Sequence, residues 1–249
     1  MHQNWGKLLF MHWPIGAEVL RPLIPAQLSV DTFDGSAWIG VVPFTMWGIR
    51  ASFLPSIPRT SAFHELNVRT YVHYQGVPGV WFFSLDAASR LAVWGARRFY
   101  HLPYFNARMD LRQDGNTIEY SSQRIDALTY GEFFRAGREE FPAELDVHHF
   151  RGTGRAELKV NWNIGEQLPL SKPDSLAFFL TERYCLYSLH RGQIYRSRIF
   201  HEPWPLKSAT VNSYQSTMIE SLGLPVPTDT PRLHYAQSIA VDIWSLKRA

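Results

Sequence analysis

Glu65, Arg69, Arg97, His101 and Tyr104 are side chains whose types could do chemistry together, and all fall within residues 63–109. Glu65, Asn67, Arg69, Tyr71 and His73 alternate with Leu66, Val68, Thr70, Val72 and Tyr74, the period of a β-strand with a polar and an apolar face. Glu65 and Arg69 are then co-facial and about 13 Å apart along the strand, too far for direct contact. On an open sheet that face meets water. On a closed sheet it lines a cavity, where a buried carboxylate gains a shifted pKa and an acid–base role. The aromatics Phe63, Trp81, Phe82 and Phe83 favour the cavity, with Trp81 as a candidate ligand-binding wall.

Arg97, Arg98, Tyr100, His101 and Tyr104 crowd the exit of a helix expected over residues 87–99, with Asp86 as its N-cap and an apolar stripe of Ala88, Leu91, Trp94 or Gly95, and Phe99. Two readings of the arginines stay open: cations stabilising a helix C-terminus through its dipole, or a bidentate clamp for a small organic acid. His101 is a candidate ligand contact or proton relay.

Other chemistries find less support. Ten histidines invite a metal, yet His148 and His149, His190 and His201 lack the spacing of a metal helix motif, so no metal or cofactor is expected. No Gly-x-Ser-x-Gly elbow occurs, and Gly152-Thr-Gly154 lacks the context of a nucleotide loop. The single cysteine, Cys185, lies among apolar and aromatic neighbours and reads as a buried thiol rather than a nucleophile. Trp204 could cover a pocket mouth or simply pack.

The elements that must position these residues are mostly strands. Strands are expected over residues 37–46 (Pro43 hinting at a bulge or edge), 65–74, 80–85, 105–112, 117–124, 156–164, 183–190, 193–200 and 236–246. A short helix is expected within residues 14–28, with others at 175–179 and 212–222, and a surface excursion at 130–149. The 249 residues are 45% hydrophobic and 14% aromatic, enough for one β-rich domain spanning 1–249. The net charge of +3 comes from arginines interleaved with acids, which argues against nucleic acid. No signal peptide or membrane span is legible, so a cytoplasmic protein with a small-molecule ligand is expected.

The motifs LLFMHWP (8–14), LRPLIP (20–25), DTFDGSAWIG (31–40), PFTM (43–46), ELNVRTYV (65–72), GVPGVWFFSLDA (76–87), ARRFYHLPY (96–104) and FLTERYCLY (179–187) resemble the uncharacterised YqjF-like family, placed within the acetoacetate decarboxylase-like fold. That resemblance covers most of the chain. It implies an α+β, mainly β fold: a closed, cone-like antiparallel β-barrel with a few peripheral helices and a pocket within. Self-association would suit the fold's relatives, although no interface is marked in the sequence.

In the decarboxylases a glutamate opens a strand, a Gly-Arg pair ends a helix, and a proline precedes two lysines, the first of which forms the Schiff base. Glu65, Arg97 and Pro103 match the first three features. The two lysine positions hold Tyr104 and Phe105, and no lysine occurs between Lys7 and Lys159. The resemblance therefore implies the vessel without Schiff-base decarboxylation. Two readings follow: a non-imine enzyme acting on a small organic acid or carbonyl compound, with Glu65 as base, Tyr104 as acid and Arg97 or Arg69 as anchor, or a barrel that binds or senses a ligand without chemistry.

Overall fold

The computed structural model describes residues 1–50, 62–126, 128–136 and 155–249. Within them the chain is mainly β. The first half forms β1 (His2–Ile15), β2 (Ser29–Val30), β3 (Ala37–Arg50), β4 (Phe63–Tyr74), β5 (Val77–Ala87), β6 (Tyr104–Asp114) and β7 (Thr117–Arg124). The second half adds β8 (Glu157–Gln167), β9 (Cys185–His190), β10 (Gln193–Phe200), β11 (Leu206–Ser216), β12 (Arg232–Ile243) and β13 (Lys247–Arg248). The helices are few and short: α1 (Ala17–Leu20), α2 (Arg90–Tyr100), α3 (Tyr130–Ala136) and α4 (Leu176–Thr181).

Tight turns set the hairpins. Gln75 and Gly76 between β4 and β5 have φ of +50° and +78°, and Arg191 and Gly192 between β9 and β10 have +52° and +69°. Two successive positive φ angles match the right-handed twist of the flanking strands, and glycine supplies the second at no steric cost.

All the strands join one sheet. β4 pairs with both β3 and β5, so the pairings return to their start along β5-β6-β7-β8-β11-β12-β1-β3-β4. A second circuit closes because β10 pairs with both β9 and β12. It shares β12, β1, β3, β4 and β5 with the first, and of these β1, β3, β4 and β5 are buried on both faces over much of their length, which explains why β1 and β3 read as apolar runs rather than alternations. Leu9, Met11, Ile39, Val41, Leu66, Val68 and Phe83 fill one side. Leu8, Phe10, Val42, Phe44 and Met46 face the other. β5 runs parallel to β6 at residues 85–87 and to β9 at residues 80–81, so the sheet is mixed rather than wholly antiparallel.

Several expectations need correction. Asp86 is not a helix cap; it lies fully buried on β5, where ladder partners on β4 and β6 hold it. The cap of α2 is Ser89, whose Oγ accepts from the Ala92 amide at 3.3 Å. The stripe on α2 is also rotated: Leu91 (59%), Trp94 and Phe99 (60% each) are exposed, while Val93 is buried and Ala96 and Tyr100 face the interior cavity. Residues 212–222 are not one helix. β11 pairs with β8 from Lys207 to Ser216, and only a 3-10 turn, Glu220–Leu222, follows. Partners across the ladder outweigh local propensity there. Strand β1 has no counterpart among the expected elements. Of residues 130–149, the structure describes α3 and nothing beyond residue 136. Pro43 sits where the pairing of β1 with β3 slips between Gly6 and Met11, as a bulge there requires.

Candidate active site

Two bulges turn side chains toward a common cavity. In β1, Lys7 takes φ of +48°, so Trp5 before it and Leu8 after it both face inward instead of alternating. In β5, the register against β4 slips between Val68 and Arg69, and Phe82 and Leu85 both reach the same cavity. The polar face of β4 supplies Glu65, Asn67 and Arg69. The cavity measures about 90 Å³. Pockets for drug-sized ligands run to roughly 300–1,000 Å³, so this one suits a compact molecule.

Tyr104 begins β6 just beyond Pro103 and donates its hydroxyl to Glu65 Oε2 at 2.7 Å. Glu65 is only 2% exposed, and its backbone carbonyl accepts from the Tyr120 hydroxyl at 2.8 Å. Burial pushes the Glu65 carboxyl up to about 8; the Tyr104 hydrogen bond opposes that rise and the charge of Asp86 adds to it. At pH 7 the neutral acid then outnumbers the carboxylate by about ten to one. Burial and the adjoining carboxyl hold the Tyr104 phenol well above its ordinary range. Beneath the pair, Arg124 grips buried Asp86 with Nη2 at 2.7 Å and Nε at 3.1 Å. Its guanidinium lies 4.1 Å from the ring centroid of Phe105.

Arg69 is 8% exposed and forms no ion pair with a carboxylate among the described residues. Its Nη2 donates to the Leu180 carbonyl at 3.1 Å, the guanidinium rests 5.2 Å from the Phe10 ring, and Nε has no partner. A buried cation without a counter-charge costs several kcal/mol, and an anion in the cavity would relieve it. Three further buried atoms on the cavity walls lack partners: Asn67 Oδ1, Trp5 Nε1 and Trp204 Nε1. Behind Arg69, Tyr71 donates to the Leu180 carbonyl at 2.6 Å and stands 2.7 Å from His12 Nε2. The phenol has one proton, so His12 donates from Nε2 and is neutral, and burial lowers its pKa well below normal.

The structure thus brings Glu65, Tyr104 and Arg69 together and places the other candidates elsewhere. Arg97 donates Nε to the Tyr104 carbonyl at 2.7 Å and pairs with Asp126 at 2.8 Å, so it fixes the Tyr104 backbone from outside the cavity lining. His101 closes α2 in the left-handed region and stacks on His190, ring centroids 3.8 Å apart, also outside the lining. Trp81 is buried in the opposite core with its indole donating to the Tyr130 hydroxyl at 3.0 Å. Phe105 is buried beside Arg124 and does not reach the cavity. None of the lysines, Lys7, Lys159, Lys172, Lys207 and Lys247, lines it, and Lys159 is exposed on β8. Cys185 is buried in the core. Trp204 both packs, edge-on to Phe10 at 5.1 Å, and walls the cavity. Among the described residues no group of three His, Cys, Asp or Glu side chains is placed to hold a metal, and no helix is long and apolar enough to cross a membrane. His148 and His149 lie outside the described residues.

Sequence reasoning missed Trp5 and the Asp86–Arg124 pair. Nothing local to Trp5 announces the Lys7 bulge, whereas Asn67 could have been named from its position between Glu65 and Arg69 on one face.

Residues 2–240 match the family DUF2071, described as "Uncharacterized conserved protein (COG2071)". The chain is 40% identical over 250 residues to "Uncharacterized protein YqjF" of Bacillus subtilis (strain 168), covering 100% of this chain and 92% of that one. In fold it is similar to the enduracididine biosynthesis enzyme MppR solved in complex with pyruvate (TM-score 0.62, 9% identity, 99% of this chain and 89% of the other). It is also similar to acetoacetate decarboxylase from Legionella pneumophila (TM-score 0.57, 10% identity, 100% and 86%). At such identities the likeness is one of fold.

Proposed function

The chain belongs to the DUF2071 family, and from that premise we propose that its cavity takes a small organic acid or carbonyl compound and acts on it by acid–base chemistry without an imine. One observation carries the reading. A carboxyl with its pKa pushed up to about 8 is hydrogen-bonded to a tyrosine in the cavity that also holds an arginine with no carboxylate partner among the described residues. We take the paired strand circuits as a closed, cone-like β-barrel that keeps bulk water from this site, in a cytoplasmic protein.

Arg69 would bind the ligand's carboxylate through its unpartnered Nε, with the Trp5 and Trp204 indoles as further donors. Glu65, when ionised, would remove a proton from the carbon beside the carbonyl. The C–H electron pair moves into the enolate, whose oxygen accepts from the Tyr104 hydroxyl, freed once Glu65 is protonated. Reversal returns the proton. A carboxyl poised near 8 suits both directions at neutral pH. Pyruvate, the ligand of the MppR structure, is an acid on the scale of this cavity.

An imine requires an amine, and the positions that carry lysines in the decarboxylases hold Tyr104 and Phe105 here. Borohydride reduction in the presence of acetoacetate, followed by intact mass and peptide mapping, is expected to give no adduct in the cavity; a stoichiometric adduct there overturns the imine-free reading. In ligand-observed NMR, pyruvate should bind saturably to the wild type and at least tenfold more weakly to Arg69→Met, and equal binding by both would contradict the anchor.

The aromatic wall of Trp5, Phe10, Phe44 and Trp204 supports a second reading, a barrel that binds such a ligand and leaves it unchanged. Saturable binding with no proton exchange into the ligand would select it.

A further inference from the structure

Strand β1 separates the Glu65 cavity from a second concavity: Leu8 and Phe10 face the first, Met11 and Trp13 the second. The second measures about 410 Å³ and is framed by β1, β11, the Glu220–Leu222 turn and a loop carrying Pro225, Pro227 and Pro231. Proline at these positions fixes the loop's backbone φ angles and so restricts its conformations. The volume falls in the range of small-molecule sites.

Its chemistry is one-sided. Trp13 and Tyr214 form an aromatic corner, ring centroids 5.7 Å apart and planes tilted by 44°. Glu220 and Asp229 line the same space, and neither forms an ion pair among the described residues. No lysine, arginine or histidine is among the lining residues. Thr228 and Thr230 add hydroxyls. The chain as a whole carries +3, so any attraction for a cation must come from this cleft and not from the overall field.

We propose that this cleft binds a small organic ammonium ion. A ring face attracts a cation through its quadrupole, and two unpaired carboxylates complete the charge. A neutral molecule of equal size would gain only apolar contact, and an anion would be repelled. This site is independent of the Glu65 cavity, and its failure would leave the reading of that cavity untouched.

Titration with tetramethylammonium chloride, followed by amide NMR shifts and matched against sodium chloride and tert-butanol, tests the assignment. Saturable shifts confined to residues around Tyr214 and Glu220 are expected with tetramethylammonium alone. Glu220→Gln and Tyr214→Leu, which leave the core intact, should each weaken binding about two- to fivefold, with unchanged thermal melts as the control for folding. Absence of a saturable response, an equal response to tert-butanol, or unaltered affinity in both variants would overturn it.

Discussion

A carboxyl buried as deeply as Glu65 can be kept ionised by an arginine or left protonated beside a neutral donor. The chain takes the second course: Tyr104 is the partner, and Arg69, on the same strand face, stays available. The consequence for stability has a definite sign. Burial pushes the folded carboxyl up to about 8 from an ordinary value of 4.5, so between those pH values the native state binds more protons than the unfolded one. Stability therefore falls as pH rises through that window, by about 4 kcal/mol in total. Denaturant melts from pH 5 to pH 8.5 should show this slope in the wild type and its loss in Glu65→Gln. Identical slopes in both proteins would mean that Glu65 titrates as an exposed carboxylate.

Strands whose faces differ were legible. The alternation of residues 65–74 gives β4 and its two faces, and the turn residues at 75–76, 115–116 and 191–192 give three hairpins. The same alternation leaves the side of the polar face open, because only the second circuit of pairings turns it inward. Burial on both faces did not by itself hide an element, since β3 and β5 were legible as apolar runs, but β1 was not: it carries no alternation, and the bulge at Lys7 that brings in Trp5 has no local signal. α2 misled through its largest apolar residues, since Leu91, Trp94 and Phe99 face outward while small Ala96 faces the cavity. Asp86, read as a cap, proves to be half of a buried ion pair that joins β5 to β7 beneath the site. Removing one partner leaves a buried charge without compensation. Asp86→Ala should therefore cost about 3–5 kcal/mol in urea unfolding, and a loss below about 1 kcal/mol, typical of an exposed pair, would contradict the burial of this pair.

At the scale of the molecule, two circuits of strands share one wall, and the wall's two faces have different occupants. One face packs the larger core and borders the second concavity at Met11 and Trp13. The other encloses a space of about 90 Å³ in which a protonatable carboxyl, a phenol and a cation lacking a carboxylate partner among the described residues converge. The family resemblance was legible because its motifs fall on four of the shared strands, β1, β3, β4 and β5, and it implied that Tyr104 stands where the decarboxylases carry a lysine. It also drew attention to Arg97, which the structure uses to hold the Tyr104 backbone rather than to line the cavity. The most direct test of the central claim is the exchange of pyruvate methyl protons for deuterium in D₂O, followed by proton NMR. The wild type is expected to accelerate exchange above the buffer rate with an apparent pKa near 8, Glu65→Gln to abolish the acceleration, and Arg69→Met to reduce it at subsaturating pyruvate. Exchange at the buffer rate with the wild type, or undiminished exchange with Glu65→Gln, would contradict the account.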